Sequence, residues 1–159
     1  MSRILAITAI ALLADQCSKW GVVYGLDLES RLALDVFPPF LQFRMAWNEG
    51  INFGLFASGS EVMRWVLVAV SVLAAVVVLV WARRIRGWLG PLLVGALLGG
   101  ILGNGIDRIR HGAVADFLNV SCCGVHNPFS FNLADVFIFV GAFGLIAFGN
   151  RLNRDRGRP

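Results

Sequence analysis

Apolar residues in this chain fall into four long runs, separated by shorter polar stretches that carry glycine and proline. Trp65–Ala82 is eighteen residues without a charge, rich in valine and bounded by Trp65 and Trp81. Gly87–Ile106 is a further twenty uncharged residues. At 1.5 Å rise per residue, ~20 apolar residues cross a hydrocarbon core, and tryptophan favours its two boundaries. Phe131–Asn150 contains one charge, Asp135, and the first run carries Asp15 and Lys19 near its far end. The pattern predicts helices over about 3–25, 62–82, 88–106 and 131–150. Arg3 and Ile4–Ala14 have the make-up of a secretory leader, and Cys17 invites a lipid-attachment reading. Asp15 and Gln16 precede Cys17 where small residues would stand, and Trp20–Leu26 stays apolar. The run is therefore read as a retained helix.

Between the first two runs the period changes. Leu26–Phe37 is mixed and loop-like, and Pro38-Pro39 is a breaker. Leu41, Phe43, Met45 and Trp47 then alternate with Gln42 and Arg44, a period of two that predicts a strand. Asn48-Glu49-Gly50 is turn chemistry, and Ile51, Phe53 and Leu55 alternate with Asn52 and Gly54 as a return strand. A small hairpin is expected over about 38–57, and a loop over about 107–130. In the third helix Gly95, Gly99 and Gly103 share one face, where small residues let helices approach closely. The glycine string there is not a nucleotide loop, because no strand precedes it.

Composition sharpens this into a fold class. The chain is 57% hydrophobic and 15% charged, with a mean hydropathy of +0.72; soluble domains run near ~45–50% and ~25%. The expectation is a membrane all-α protein, one polytopic domain spanning 1–159, with four transmembrane helices, a small hairpin and a loop. The net charge of +4 comes from arginines at the ends of apolar runs, with Lys19 the only lysine. No basic stripe with interleaved aromatics is present, so nucleic acid is not an expected partner. Arg3, Arg83, Arg84, Arg86 and Arg151–Arg158 fall on one side of a four-helix arrangement, which marks that side as cytoplasmic. Both termini are then inside, and the hairpin and the 107–130 loop outside. Three cysteines make no disulfide framework, and Cys122 and Cys123 with His111 and His126 fit no recurrent zinc spacing. Neither a metal nor a cofactor is expected.

This topology puts Asp116 and Asp135 near the outer face. Asn132 lies three residues before Asp135, and Asn104 four before Arg108, so each pair can share a helix face. Two carboxylates held close tend to share one proton, and such a pair can hydrolyse an amide. Asn132 could orient a carboxylate or the oxyanion, and Arg108 could hold a backbone carbonyl or a lipid phosphate, or brace Asp107. Asp15 and Lys19, four apart, suit an ion pair facing the bundle interior. Neither GxSxG nor HExxH occurs. Two other classes stay open. One is a small membrane transporter or proton-path subunit, with Asp15, Lys19 and Asp135 as relay groups. The other is an assembly protein held together by its glycine face.

Four blocks in order resemble the lipoprotein signal peptidases, the type II signal peptidases: Asp15–Lys19, Asn48–Gly54, Gly99–Arg108, and Val114–Phe117 followed by Phe131–Asp135. The resemblance covers essentially the whole chain. It implies a multi-pass aspartic endopeptidase of the bacterial inner membrane, with its active site at the periplasmic face. Asp116 and Asp135 would be the catalytic pair. Asn48, Gly50, Asn104, Arg108 and Asn132 would bind substrate, while Asp15, Lys19 and Asp107 support the fold. The implied substrates are diacylglyceryl-modified prolipoproteins, cleaved on the amino side of the lipidated cysteine. The hairpin would belong to a cradle on the outer leaflet, in contact with membrane lipid. Globomycin-type peptides would inhibit.

Overall fold

The computed structural model describes residues 1–50, 61–83, 85, 87–122 and 127–154. The first helix, α1 (Ser2–Lys19), runs into a π-helical turn over Trp20–Gly25 and a short α2 (Leu28–Arg31). Strands β1 (Ala33–Phe37) and β2 (Leu41–Asn48) follow, then α3 (Glu61–Ala82), α4 (Leu89–His111), β3 (Val114–Val120) and α5 (Leu133–Arg154).

Helix α4 is the hub and packs on α1, α3 and α5. Its glycines allow this. A Cβ on Gly99 would lie 2.5 Å from the Cβ of Ala11 in α1, and one on Gly100 would run into the carbonyl of Ala134 in α5. Two faces of one helix are thus stripped to backbone, so the neighbouring helices sit at contact distance. Ile4, Ala75, Leu93, Val94, Leu98 and Leu145 fill an apolar core contributed by all four long helices. The outward faces are apolar too: Leu73, Phe139 and Ile146 are 64%, 68% and 81% exposed. Water would not tolerate a girdle of that size, whereas lipid does.

Among the described residues, α3 and α4 are long and apolar enough to cross a membrane, and the apolar part of α5, Leu133–Phe148, is shorter. The third helix was expected to stop at 106. It continues to His111, ending where Gly112 takes a left-handed φ of 80° and donates its N–H to the Arg108 carbonyl. That extra turn carries Asp107 and Arg108 on rigid helix.

The strands depart from expectation. β2 was expected to fold back on residues 51–55, which lie outside the described residues. Among the described residues β2 is the centre of a three-stranded antiparallel sheet in the order β1-β2-β3. Pro38-Pro39 turns the chain from β1 into β2, and Ala33 and Leu34 face Arg44 and Phe43. On the other edge Ala46, Trp47 and Asn48 face Asp116, Ala115 and Val114. β1 escaped the period-two reading because it is only five residues long and four of them are exposed. β3 escaped it because both faces are buried, from Val114 through Phe117, and such strands lose alternation.

Candidate active site

The end of the bundle nearest the sheet holds a second, polar core. Asp15, Lys19, Asn48, Asn104, Asp107, Arg108, Asp116, Asn119 and Asn132 are all buried there. Buried polar groups persist only when hydrogen-bonded, and the bonds explain how the chain is drawn together.

Asp116 sits on β3, opposite Ala46 of β2. One carboxylate oxygen accepts from Nδ2 of Asn48 at 3.0 Å, the other from Nδ2 of Asn132 at 2.6 Å. Asp135 lies in the first turn of α5. Its Oδ2 accepts the backbone N–H of Asn132 at 3.2 Å, while its own N–H donates to Oδ1 of Asn132 at 3.1 Å. This is a reciprocal helix cap, which fixes the carboxylate at the positive end of α5. Nδ2 of Asn104 donates to Oδ1 of Asp135 at 2.8 Å. Asn132 therefore touches both carboxylates. What holds the two elements together is an isolated bridge between β3 and the residue before it: the N–H groups of Leu118 and Phe131 bond reciprocally to each other's carbonyls, at 2.7 and 3.0 Å.

Burial pushes the Asp116 carboxyl up to about 7, helped by the negative charge of Asp135 and opposed by the two amide donors. Each carboxylate opens onto its own space. A cavity of about 220 Å³ between Trp47, Asn48, Phe129 and Ser130 reaches Asp116. An apolar groove of about 340 Å³ along α5, lined by Ile138, Phe139, Phe143 and Ile146, ends at Asp135.

Arg108 contacts neither carboxylate through a hydrogen bond. Its two terminal nitrogens donate to the carbonyls of Gly50, at 2.6 Å, and Asn104, at 3.3 Å, and its buried Nε has no partner among the described residues. Gly50 in turn donates its N–H to Oδ1 of Asn48 at 3.1 Å. Arg108 thus ties the turn bearing Asn48 to α4, while its charge stands in the field of Asp116 and Asp135.

Asp15, Lys19 and Asp107 form a separate cluster. The ammonium meets Asp15 at 2.9 Å and Asp107 at 2.7 Å. Asp15 also accepts the N–H of Ala134 at 2.9 Å, an open donor in the first turn of α5. Sequence reasoning missed Gln16, whose Nε2 reaches Asp107 at 2.9 Å and Asp15 at 3.2 Å. A lone amide in an apolar helix beside two ionisable residues was the available signal. It also missed Arg64, which donates to the carbonyls of Arg108 and Ile109, and Asn119, which holds the carbonyls of Asn127 and Phe129 before α5. Nothing in local pattern marks those two.

A helical bundle with an apolar exterior, holding two amide-bound carboxylates where sheet and helices meet, has the build of a membrane aspartic endopeptidase. Comparison with known proteins gives the family. The family model for signal peptidase (SPase) II matches residues 7–149, and the chain belongs to that family. A lipoprotein signal peptidase of Methylobacterium sp. (strain 4-46) is 39% identical over 89% of this chain and 85% of its own. That of Methylorubrum extorquens (strain PA1) is 42% identical over 86% and 81%. A solved bacterial membrane enzyme, determined by the in meso method at 2.3 Å resolution, superposes with a TM-score of 0.71 at 22% identity, covering 100% of this chain and 94% of that one. That likeness establishes the fold. The protein is a bacterial membrane enzyme that removes signal peptides.

Proposed function

We propose that Asp116 and Asp135 are the catalytic pair, acting on prolipoproteins whose lipobox cysteine carries diacylglycerol and cleaving on the amino side of that cysteine. The observation that carries this is the shared contact of both carboxylates with Asn132. The roles follow from their surroundings. Asp135 accepts an N–H on each oxygen at a helix N-terminus, which fixes its orientation towards an attacking water and suits it to the base's part. Asp116, with its carboxyl pushed up to about 7, holds the proton.

In the reaction Asp135 takes a proton from water as the water oxygen attacks the scissile carbonyl. Asp116 gives its proton to the carbonyl oxygen. When the tetrahedral species collapses, Asp116 recovers that proton and Asp135 delivers its own to the leaving amine. Both carboxyls then stand as they began.

Asn48, Gly50, Asn104, Arg108 and Asn132 form the substrate cleft in this reading. The apolar groove along α5 suits the hydrophobic part of a signal peptide or an acyl chain, so the scissile bond need not leave the interface. Four membrane spans, from α1, α3, α4 and α5, put both termini in the cytoplasm and the pair at the periplasmic face. The exposed Arg83 after α3 fits this by the positive-inside rule. Membrane lipid surrounds the helices, and globomycin-type peptides compete for the cleft.

The test is cleavage of a diacylglyceryl-modified prolipoprotein by the purified full-length protein. Asp116→Asn and Asp135→Asn should each abolish product while the protein stays folded. Full activity in either variant refutes the assignment. A transporter reading has no observation in its favour.

A further inference from the structure

The cluster of Asp15, Lys19 and Asp107 lies behind the proposed pair and is joined to it through one side chain. Nζ of Lys19 donates to Oδ1 of Asn104 at 3.0 Å, and Nδ2 of the same amide donates to Oδ1 of Asp135 at 2.8 Å. We propose that Lys19 is a positioning residue for hydrolysis: by holding the Asn104 oxygen, it turns the Asn104 amide so that its N–H group must face Asp135. The inference rests on the reading of Asp116 and Asp135 as the pair.

An asparagine amide offers an acceptor on one side and donors on the other, and the two orientations differ by a flip. Here the flip is forbidden at both ends. It would set N–H against an ammonium and a carbonyl oxygen against a carboxylate, two repulsions in a buried, weakly screened site. An ammonium has three N–H donors. The contacts to Asp15, Asp107 and Asn104 use all three. Gln16 anchors both carboxylates from the other side, so the ammonium cannot swing away. Lys19 itself is only 5% exposed.

The charged groups around this relay come from every element that meets there. They are Asp15 from α1, Asp107 and Arg108 from α4, Asp116 from β3 and Asp135 from α5. A cavity of about 50 Å³ beside Lys19 adds Arg110 and His111. A purely structural cluster would fasten α1 to α4 and leave the chemistry alone. A positioning cluster sets which way one amide points, and so whether Asp135 meets an N–H donor there.

The experiment compares wild type with Lys19→Met as full-length protein in detergent, on a diacylglyceryl-modified prolipopeptide, with kcat, KM and a melting curve, the kinetics read well below the variant's melting temperature. The expected result is a kcat lowered about 10- to 100-fold, the cost of a misplaced catalytic group, with KM unchanged. A wild-type kcat in the folded variant, or a raised KM in place of a lowered kcat, overturns the proposal. Should Lys19→Met not fold, Asn104→Asp serves. It leaves the ion cluster intact and gives Lys19 an acceptor, but offers Asp135 no N–H. Loss of turnover in the folded variant is expected, and wild-type turnover overturns the proposal. Asp116→Asn and Asp135→Asn run alongside. Activity in those defeats the pair itself, whereas their inactivity with a wild-type kcat in Lys19→Met defeats only the role of Lys19.

Discussion

Asp15 and Asp107 meet the Lys19 ammonium at 2.9 and 2.7 Å, whereas among the described residues the hydrogen bonds to Asp116 and Asp135 come from amide N–H groups. Both sets are carboxylates in one polar core, yet they are satisfied in opposite ways. An ion pair ties a carboxylate to one charged partner and leaves little to exchange. Neutral donors orient a carboxylate while leaving its proton free to come and go. The contrast separates groups that hold the bundle together from groups suited to chemistry, and among the described residues the Asn104 amide is a side chain that touches both sets.

The sharpest way to break this comparison is to neutralise one member of each set. Asp135→Asn and Asp116→Asn should lower cleavage at least about 10²–10⁴-fold, the range for a lost acid–base group. The cost in thermal stability should be only about 1 kcal/mol, that of one rearranged hydrogen bond. Asp15→Ala should do the reverse. It strips a partner from a buried ammonium and from the Ala134 N–H, so unfolding should become easier by about 3–5 kcal/mol, read as a lowered melting temperature in detergent. If Asp15→Ala melted like wild type, the division would be wrong.

A finer test uses pH. The Asp116 carboxyl stands at about 7 in the folded protein, against 3.8 for the ordinary group. Cleavage should therefore decline above about pH 7, as Asp116 releases the proton it must donate. Stability has the same sign. Between about pH 4 and 7 the unfolded chain has lost a proton that the native chain retains, so this group's contribution falls as pH rises through that window and then levels off. Asp116→Asn should remove that slope from a series of melting curves. The smallest effect belongs at the surface. Arg64 and Glu61 pair at 2.9 Å with Glu61 largely exposed, and Glu61→Gln should cost less than about 1 kcal/mol with turnover unchanged.

Much of this was legible from residues alone, for identifiable reasons. Long apolar runs announce helices, and the face of Gly95, Gly99 and Gly103 announced a close neighbour, which proved to be α1 at Ile7, Ala11 and Asp15. Spacing brought Asn132 to Asp135, although the pair meets as a helix cap and not along one face. Asn48 and Gly50 entered only through family resemblance, since no local pattern marks a donor to a carboxylate 68 positions away. The sheet was harder. β1 is short and exposed, and β3 is buried on both faces, so neither alternates. The polar residues of 114–120 suggested a loop because their partners, Asn48 and Asn132, are remote in sequence.

The bridge between Leu118 and Phe131 has a consequence for how such an enzyme is born. Asp116 travels on a strand and Asp135 on a helix made after it, and neither has its full set of donors until that helix seats against α4. On the proposed assignment of the pair, a ribosome-bound chain still lacking α5 would carry one acid without its mate. Proteolysis would then wait for that helix to seat, sparing neighbouring proteins threading into the same bilayer.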